Sequence, residues 1–160
     1  GRFGRSAEQQ MDKPLFALTG DHTSRLGIRF PGDNVFEQYA VPFVLYGPDV
    51  LQETGRLATA GSHIDIPPTL YELAAPEGFE YVAFGRDLLN KPHPSYGQGY
   101  RFLVGENFIA SHTESPRIWQ LPGESGSLPA PASLNTTVRR FDALKALSWY
   151  RVRRGTRLPE

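Results

Sequence analysis

The sequence predicts an α/β fold with a small antiparallel annex, and three observations point to it. Two short apolar runs, 14–20 and 41–46, read as strands. The segment 65–75 repeats its apolar residues at helical spacing. Beyond residue 100 the pattern changes to three short strands with tight turns and then one long helix.

The elements follow in order. Residues 1–13 are polar with a few apolar positions, as in the tail of a helix. Leu15–Leu18 is apolar enough for a buried strand, and Gly20 lets the backbone turn at its end. Residues 23–40 are rich in Gly, Asp, Asn and Arg, lack periodicity and read as an active-site loop. The run Val41-Pro42-Phe43-Val44-Leu45-Tyr46 is apolar on both faces, which suits a covered strand in a parallel or mixed sheet. Pro42 is tolerable near the start of that strand, and Gly47-Pro48-Asp49 is a turn.

In 65–75, Ile66, Leu70, Leu73 and Ala74 share one helix face. Asp65 stands where a cap belongs, Pro67 and Pro68 suit the first turn, and Pro76 helps to stop the helix. Residues 84–90 form a short ordered segment before a Pro/His/Gly-rich link at 91–99. Tyr100–Val104, Asn107–His112 and Arg117–Leu121 then read as an antiparallel meander. A Pro/Gly/Ser/Ala linker over 122–133 leads to a final helix over 134–153. Its apolar set is Val138, Phe141, Leu144, Leu147 and Trp149. There are no internal repeats, and the expected division is 1–95 and 96–160.

Composition narrows the function. At 160 residues and 39% hydrophobic content the chain is long and apolar enough for a real core. Its 17 basic and 17 acidic residues balance, so neither a nucleic-acid footprint nor an overall polybasic membrane patch is indicated. Only three of the basic residues are Lys, a bias given no function here. Without cysteine there are no disulfides and no thiolate metal ligands. No apolar run approaches the length of a membrane span, and no signal peptide is visible. The chain opens on Gly1 and a polar stretch, and the expectation is a piece of a longer protein whose remainder lies N-terminal.

The most informative pair is Asp21-His22, just past the C-terminal end of the first strand. In open α/β sheets ligands and catalytic groups collect at that edge. A carboxylate beside an imidazole can hold a divalent ion such as Zn²⁺ or Mn²⁺. Two ligands are fewer than the three or more that a catalytic metal takes, so further ligands must come from elsewhere. The plain alternative is a turn aspartate beside a surface histidine.

The string TGDHTSR (19–25), then VPFVLYGPD (41–49), SHIDIPPTLYEL (62–73) and FGRDLLN (84–90) resembles the C-terminal part of the sulfatase-like branch of the alkaline phosphatase superfamily. Within that branch it looks closest to the lipoteichoic acid synthase and phosphoglycerol transferase group. The matching positions are Asp21-His22, Val41-Pro42, Asp65 with Pro68-Thr69, and Phe84-Gly85 with Asp87-Leu88-Leu89. The resemblance covers roughly residues 14–90 and reaches the later segments only in outline.

The resemblance implies an α/β/α sandwich with a mostly parallel sheet, followed by a small antiparallel sheet and a C-terminal helix. It implies a divalent metal, Mn²⁺ or Mg²⁺ in the lipoteichoic-type enzymes and Ca²⁺ in many sulfatases, with Asp21 and His22 as two ligands. The nucleophile, a Thr in the former and a modified Cys or Ser in the latter, is expected N-terminal to this chain. Thr23 and Ser24 are not expected to serve. The implied substrates are a phospholipid, a glycan or a sulfate ester, and the implied place is the extracytoplasmic face of a bacterial membrane or the periplasm, held by an N-terminal region.

Lesser candidates complete the reading. Arg25 is placed to pair with a phosphate, or it is a solvated loop residue. His63 is a ligand or substrate contact in some relatives of the wider superfamily, or it is structural. Asp65 and Thr69 are expected to satisfy free backbone N–H groups at the helix start. His93, His112 and Asp87 are expected in surface or packing roles. For Trp119, Trp149 and the tyrosines core packing is expected over a carbohydrate or lipid platform. The isolated chain is expected to pair with the missing part of its own domain, or to self-associate through exposed strand edges. A non-catalytic binding or assembly role stands as the alternative to an enzyme.

Overall fold

The computed structural model describes residues 13–22, 36, 39–48, 50–51, 53–90, 95–99, 102–111, 117–121 and 134–155. The chain divides into two compact units, Gly1–Thr59 with His63–Lys91 and Ala60–Ser62 with Pro92–Glu160. Mixed helices and sheets, with a small antiparallel sheet and a C-terminal helix, agree with a C-terminal α/β portion.

The first unit contains β1 (Phe16–Thr19) and β2 (Phe43–Tyr46). They pair with each other in antiparallel register, Phe16 opposite Tyr46 and Leu18 opposite Val44. Both strands fall where the apolar runs placed them, but no parallel pair occurs among the described residues. The reason is that an apolar run reports coverage of both faces and carries no information on direction. The burial expected for the first strand is also absent: Phe16 and Leu18 are exposed, as are Val44 and Tyr46 on the same face. Burial comes from layers packed on a strand, and the described residues give β1 only one neighbour.

Downstream, a short 3₁₀ turn (His63–Asp65) runs into α1 (Ile66–Ala74). The helix carries Pro at its first positions, where a missing N–H costs nothing. It stops at Ala75, which is extended at φ −71° and ψ 146°. Pro76 enforces this, because the residue before a proline is driven out of the helical region.

Asp65 does not cap α1. It has helical geometry and its side chain makes no cap bond. Its Oδ1 instead accepts the backbone N–H of Arg86 at 3.0 Å. Thr69 behaves alike: its hydroxyl donates to the Asp65 carbonyl at 2.7 Å and accepts the N–H of Leu88 at 2.9 Å. Both residues satisfy backbone N–H groups as expected, but in the 84–90 segment and not at the helix start. A Cβ on Gly85 would run into the Ile64 carbonyl, so this close approach requires glycine.

The second unit is a four-stranded antiparallel meander: β3 (Gly97–Gln98), β4 (Phe102–Val104), β5 (Phe108–Ser111) and β6 (Ile118–Gln120). Three of these match the expected strands. The edge strand β3 lies in the stretch read as a link, because a two-residue strand has no alternation to detect. Gly97 is packed so that a Cβ would meet the Gly61 carbonyl. Beside it the buried Ser95 accepts the N–H of Ala60 at 3.1 Å and donates to Glu106 at 2.7 Å.

The closing helix α2 (Leu134–Arg154) packs on this sheet. Leu134 and Phe141 join Leu103, Phe108 and Ala110 in one buried cluster, with Val138 and Leu144 against it. Leu147 and Trp149, expected in the same core, are exposed. The buried positions of α2 end at Phe141. Apolar residues further along the helix are counted by periodicity but gain no cover.

Candidate functional site

The candidate site begins where β1 ends. Gly20 follows the strand, and Asp21 and His22 stand immediately beyond it. Asp21 folds back on its neighbour: Oδ1 accepts the His22 backbone N–H at 2.9 Å, and Oδ2 lies 3.2 Å from the ring Nε2. The carboxylate thus lies beside Nε2, the ring nitrogen that would face a metal, while the orienting partner a ligating histidine takes belongs on Nδ1.

Exposure decides how this pair is to be read. The His22 side chain is 52% exposed and that of Asp21 85%. At such exposure an ion pair contributes little to stability.

The donor geometry allows a test of metal fit. Adjacent ligands on a divalent ion with bonds of about 2.1 Å are separated by roughly 3.0–3.4 Å, depending on whether the site is octahedral or tetrahedral. The Oδ2–Nε2 separation of 3.2 Å lies in that range. One hard oxygen and one imidazole nitrogen suit Mn²⁺, Mg²⁺ or Zn²⁺ by type. Asp21 and His22 therefore fit one edge of a coordination shell. Among the described residues no group of three or more His, Asp or Glu side chains completes it.

A third residue joins the strand end. His63, in the 3₁₀ turn before α1, places its Nε2 2.7 Å from the Gly20 carbonyl oxygen. A carbonyl only accepts, so Nε2 carries the proton, and in the neutral ring Nδ1 keeps the lone pair. Of the lesser candidates in the sequence, His63 is thus brought to the Asp21-His22 corner, through the backbone of Gly20. Arg25, Thr23 and Ser24 lie outside the described residues, as do His93, His112 and most of the loop 23–40.

Behind His63 sits a buried polar clamp. Asp65 and Thr69 are buried, and between them they bind the N–H groups of Arg86 and Leu88. The clamp joins the 3₁₀ turn carrying His63 to the segment Phe84–Asn90. The N–H groups bound by its carboxylate and hydroxyl lie in this segment and not at the helix start, where the sequence places them. The signal for that segment is Gly85 within it, where a side chain would run into the Ile64 carbonyl.

Asp87 completes that segment. Its Oδ1 accepts the Leu89 N–H at 2.9 Å. Burial pushes its pKa above the usual carboxylate value, the Leu89 bond opposes this, and the negative charge of Glu72 adds to the rise. The contacts are those of a structural residue.

Comparison with known proteins bears on the same region. Residues 1–76 match the family model for sulfatases. That span includes Asp21, His22 and His63, and this part of the chain is sulfatase-like. Neither the curated proteins nor the solved structures give a match.

Proposed function

We propose, from the sulfatase-like character of residues 1–76, that the chain is part of a metal-dependent enzyme acting on phosphate or sulfate esters. Asp21 and His22 serve as two of its metal ligands. The observation that carries this is the 3.2 Å donor edge at the end of β1. A divalent ion held there supplies charge that polarises an ester oxygen. The chain's own residues do the positioning. Asp21 and His22 present the two donor atoms, and His63 holds the Gly20 carbonyl next to them in the chain.

Within this class we favour phosphoglycerol transfer or phosphodiester hydrolysis, on the four motifs shared with the lipoteichoic acid synthase group. A Thr hydroxyl in a preceding segment would take the phosphoryl group and release an alcohol, and a glycan hydroxyl or water would then free the Thr. Mn²⁺ or Mg²⁺ is the metal in this reading. The substrate is a phospholipid at the extracytoplasmic face of a bacterial membrane. The family description, sulfatase, supports a second reading, hydrolysis of sulfate esters on the same scaffold, for which the resemblance implies Ca²⁺.

Both readings take the nucleophile from a segment N-terminal to this chain, so the chain alone is inactive. The experiment compares it with a longer protein carrying the preceding segment. Each is assayed on an aryl phosphodiester and on an aryl sulfate, with and without added metal. The longer protein turns over one of the two substrates, loses that activity with chelator, and loses it again on Asp21→Ala. Metal-dependent turnover by the chain alone, abolished by Asp21→Ala, would overturn the division of the site. Full activity of the longer protein after Asp21→Ala would overturn the ligand assignment.

A further inference from the structure

We infer that the C-terminal half of α2 is a docking surface for an anionic lipid bilayer. The chain as a whole is electrically neutral, but α2 is not. It carries Arg139, Arg140, Lys145, Arg151, Arg153 and Arg154 against a single carboxylate, Asp142. Three of these arginines fall in its last turn. The even overall balance conceals this local excess.

The same stretch exposes apolar surface. Leu147 is 43% exposed, Trp149 58% and Val152 81%, and Tyr150 is 37% exposed. The first half of the helix packs on the sheet through Leu134 and Phe141. The second half therefore presents aromatic and aliphatic side chains to water, interleaved with arginines. The Arg153 guanidinium stands 5.7 Å from the Trp149 ring centre, so cation and ring act together at one place.

This combination selects the partner. Indole and phenol rings seat at the headgroup level of a bilayer, with their apolar bodies inward and polar edges wet. Arginine stems lie along apolar surface while their heads reach the phosphates. Trp149 and Val152, three positions apart, share one helix face with Lys145 and Arg153 beside them, and a basic helix presenting such a face lies in the interface plane. A second copy of the chain would bring like charge against like. A nucleic-acid duplex would satisfy the arginines but offers no apolar layer for Trp149 and Val152.

The inference involves no residue of the Asp21-His22 site, so it stands or falls apart from the proposed reaction. The test is co-sedimentation of the 160-residue chain with vesicles of phosphatidylcholine alone and of phosphatidylcholine mixed with phosphatidylglycerol, at low and high salt. The chain partitions onto the anionic vesicles at low salt and is released by high salt. Its tryptophan emission shifts to the blue on binding, and Trp149→Phe removes that shift. The double variant Arg153→Gln, Arg154→Gln loses about thirtyfold in partitioning, at about fivefold per basic residue near the surface. Both positions are exposed, and an unchanged far-ultraviolet dichroism spectrum certifies the fold of each variant. Equal binding to both vesicle types, an unaffected double variant, or binding to duplex DNA with none to vesicles would each overturn the inference.

Discussion

His63 Nε2 and the Gly20 carbonyl oxygen, 43 positions apart, lie 2.7 Å from each other. This bond ties the turn before α1 to the end of β1, where Asp21 and His22 project. Removing the ring by His63→Ala should lower stability by about 0.5–1.5 kcal/mol, the net worth of one such hydrogen bond. It should also change the amide chemical shifts of Asp21 and His22. His63→Gln retains an N–H donor and should recover part of both effects. Unchanged amide shifts at 21 and 22 in His63→Ala would show that the contact does not position the pair.

The Thr69 hydroxyl both donates and accepts in a fully buried position. Thr69→Val keeps the shape and deletes both bonds, leaving the Leu88 N–H without this acceptor. The expected loss is about 1–3 kcal/mol in urea unfolding. A loss near zero would mean that the 84–90 segment is not held by this clamp.

Gly85 tests the same clamp from the other side. A methyl group there meets the backbone of Ile64 and Asp65, and backbone cannot move aside cheaply. Gly85→Ala should destabilise by about 3 kcal/mol. The 86–88 amides should also lose hydrogen-exchange protection together.

Much of this was legible in the sequence, and the failures have physical causes. The strands at 16–19 and 43–46, the helix after Asp65 and the long final helix all carry strong local patterns. Their pairing direction does not, since β1 and β2 look alike whichever way they run. Leu134, buried in the second core, was missed because it starts the helix and precedes any repeat. Trp149 was assigned to that core because periodicity registers spacing and not the length of the surface below. The position of Asp21 and His22 just past a strand was legible. The bond from His63 to Gly20 was not, because no local pattern records a contact across 43 residues.

Asp87 gives a pH dependence. Its folded-state pKa is raised, chiefly by burial, with the Leu89 bond opposing and Glu72 adding to the rise. In the window between the unfolded value and the raised one, the native state holds more protons than the unfolded state. Stability therefore falls as pH rises through that window, and the penalty is fully present above the folded pKa. Asp87→Asn keeps an oxygen for the Leu89 N–H and removes the charge. Urea midpoints should be higher for Asp87→Asn than for the parent at neutral pH. The two should converge once the pH falls below the ordinary carboxylate range. A variant less stable at neutral pH would show that the ionised carboxylate helps the fold.

The central claim is that Asp21 and His22 form one edge of a divalent-metal site. Paramagnetic broadening by Mn²⁺ tests it most directly, because it detects weak binding and reports where the ion sits. On titrating Mn²⁺ into the chain, the amide and side-chain signals of Gly20, Asp21 and His22 should broaden first, and Asp21→Ala should abolish that broadening. Signals of those three residues that stay sharp while others broaden, or broadening that survives Asp21→Ala, would contradict the account.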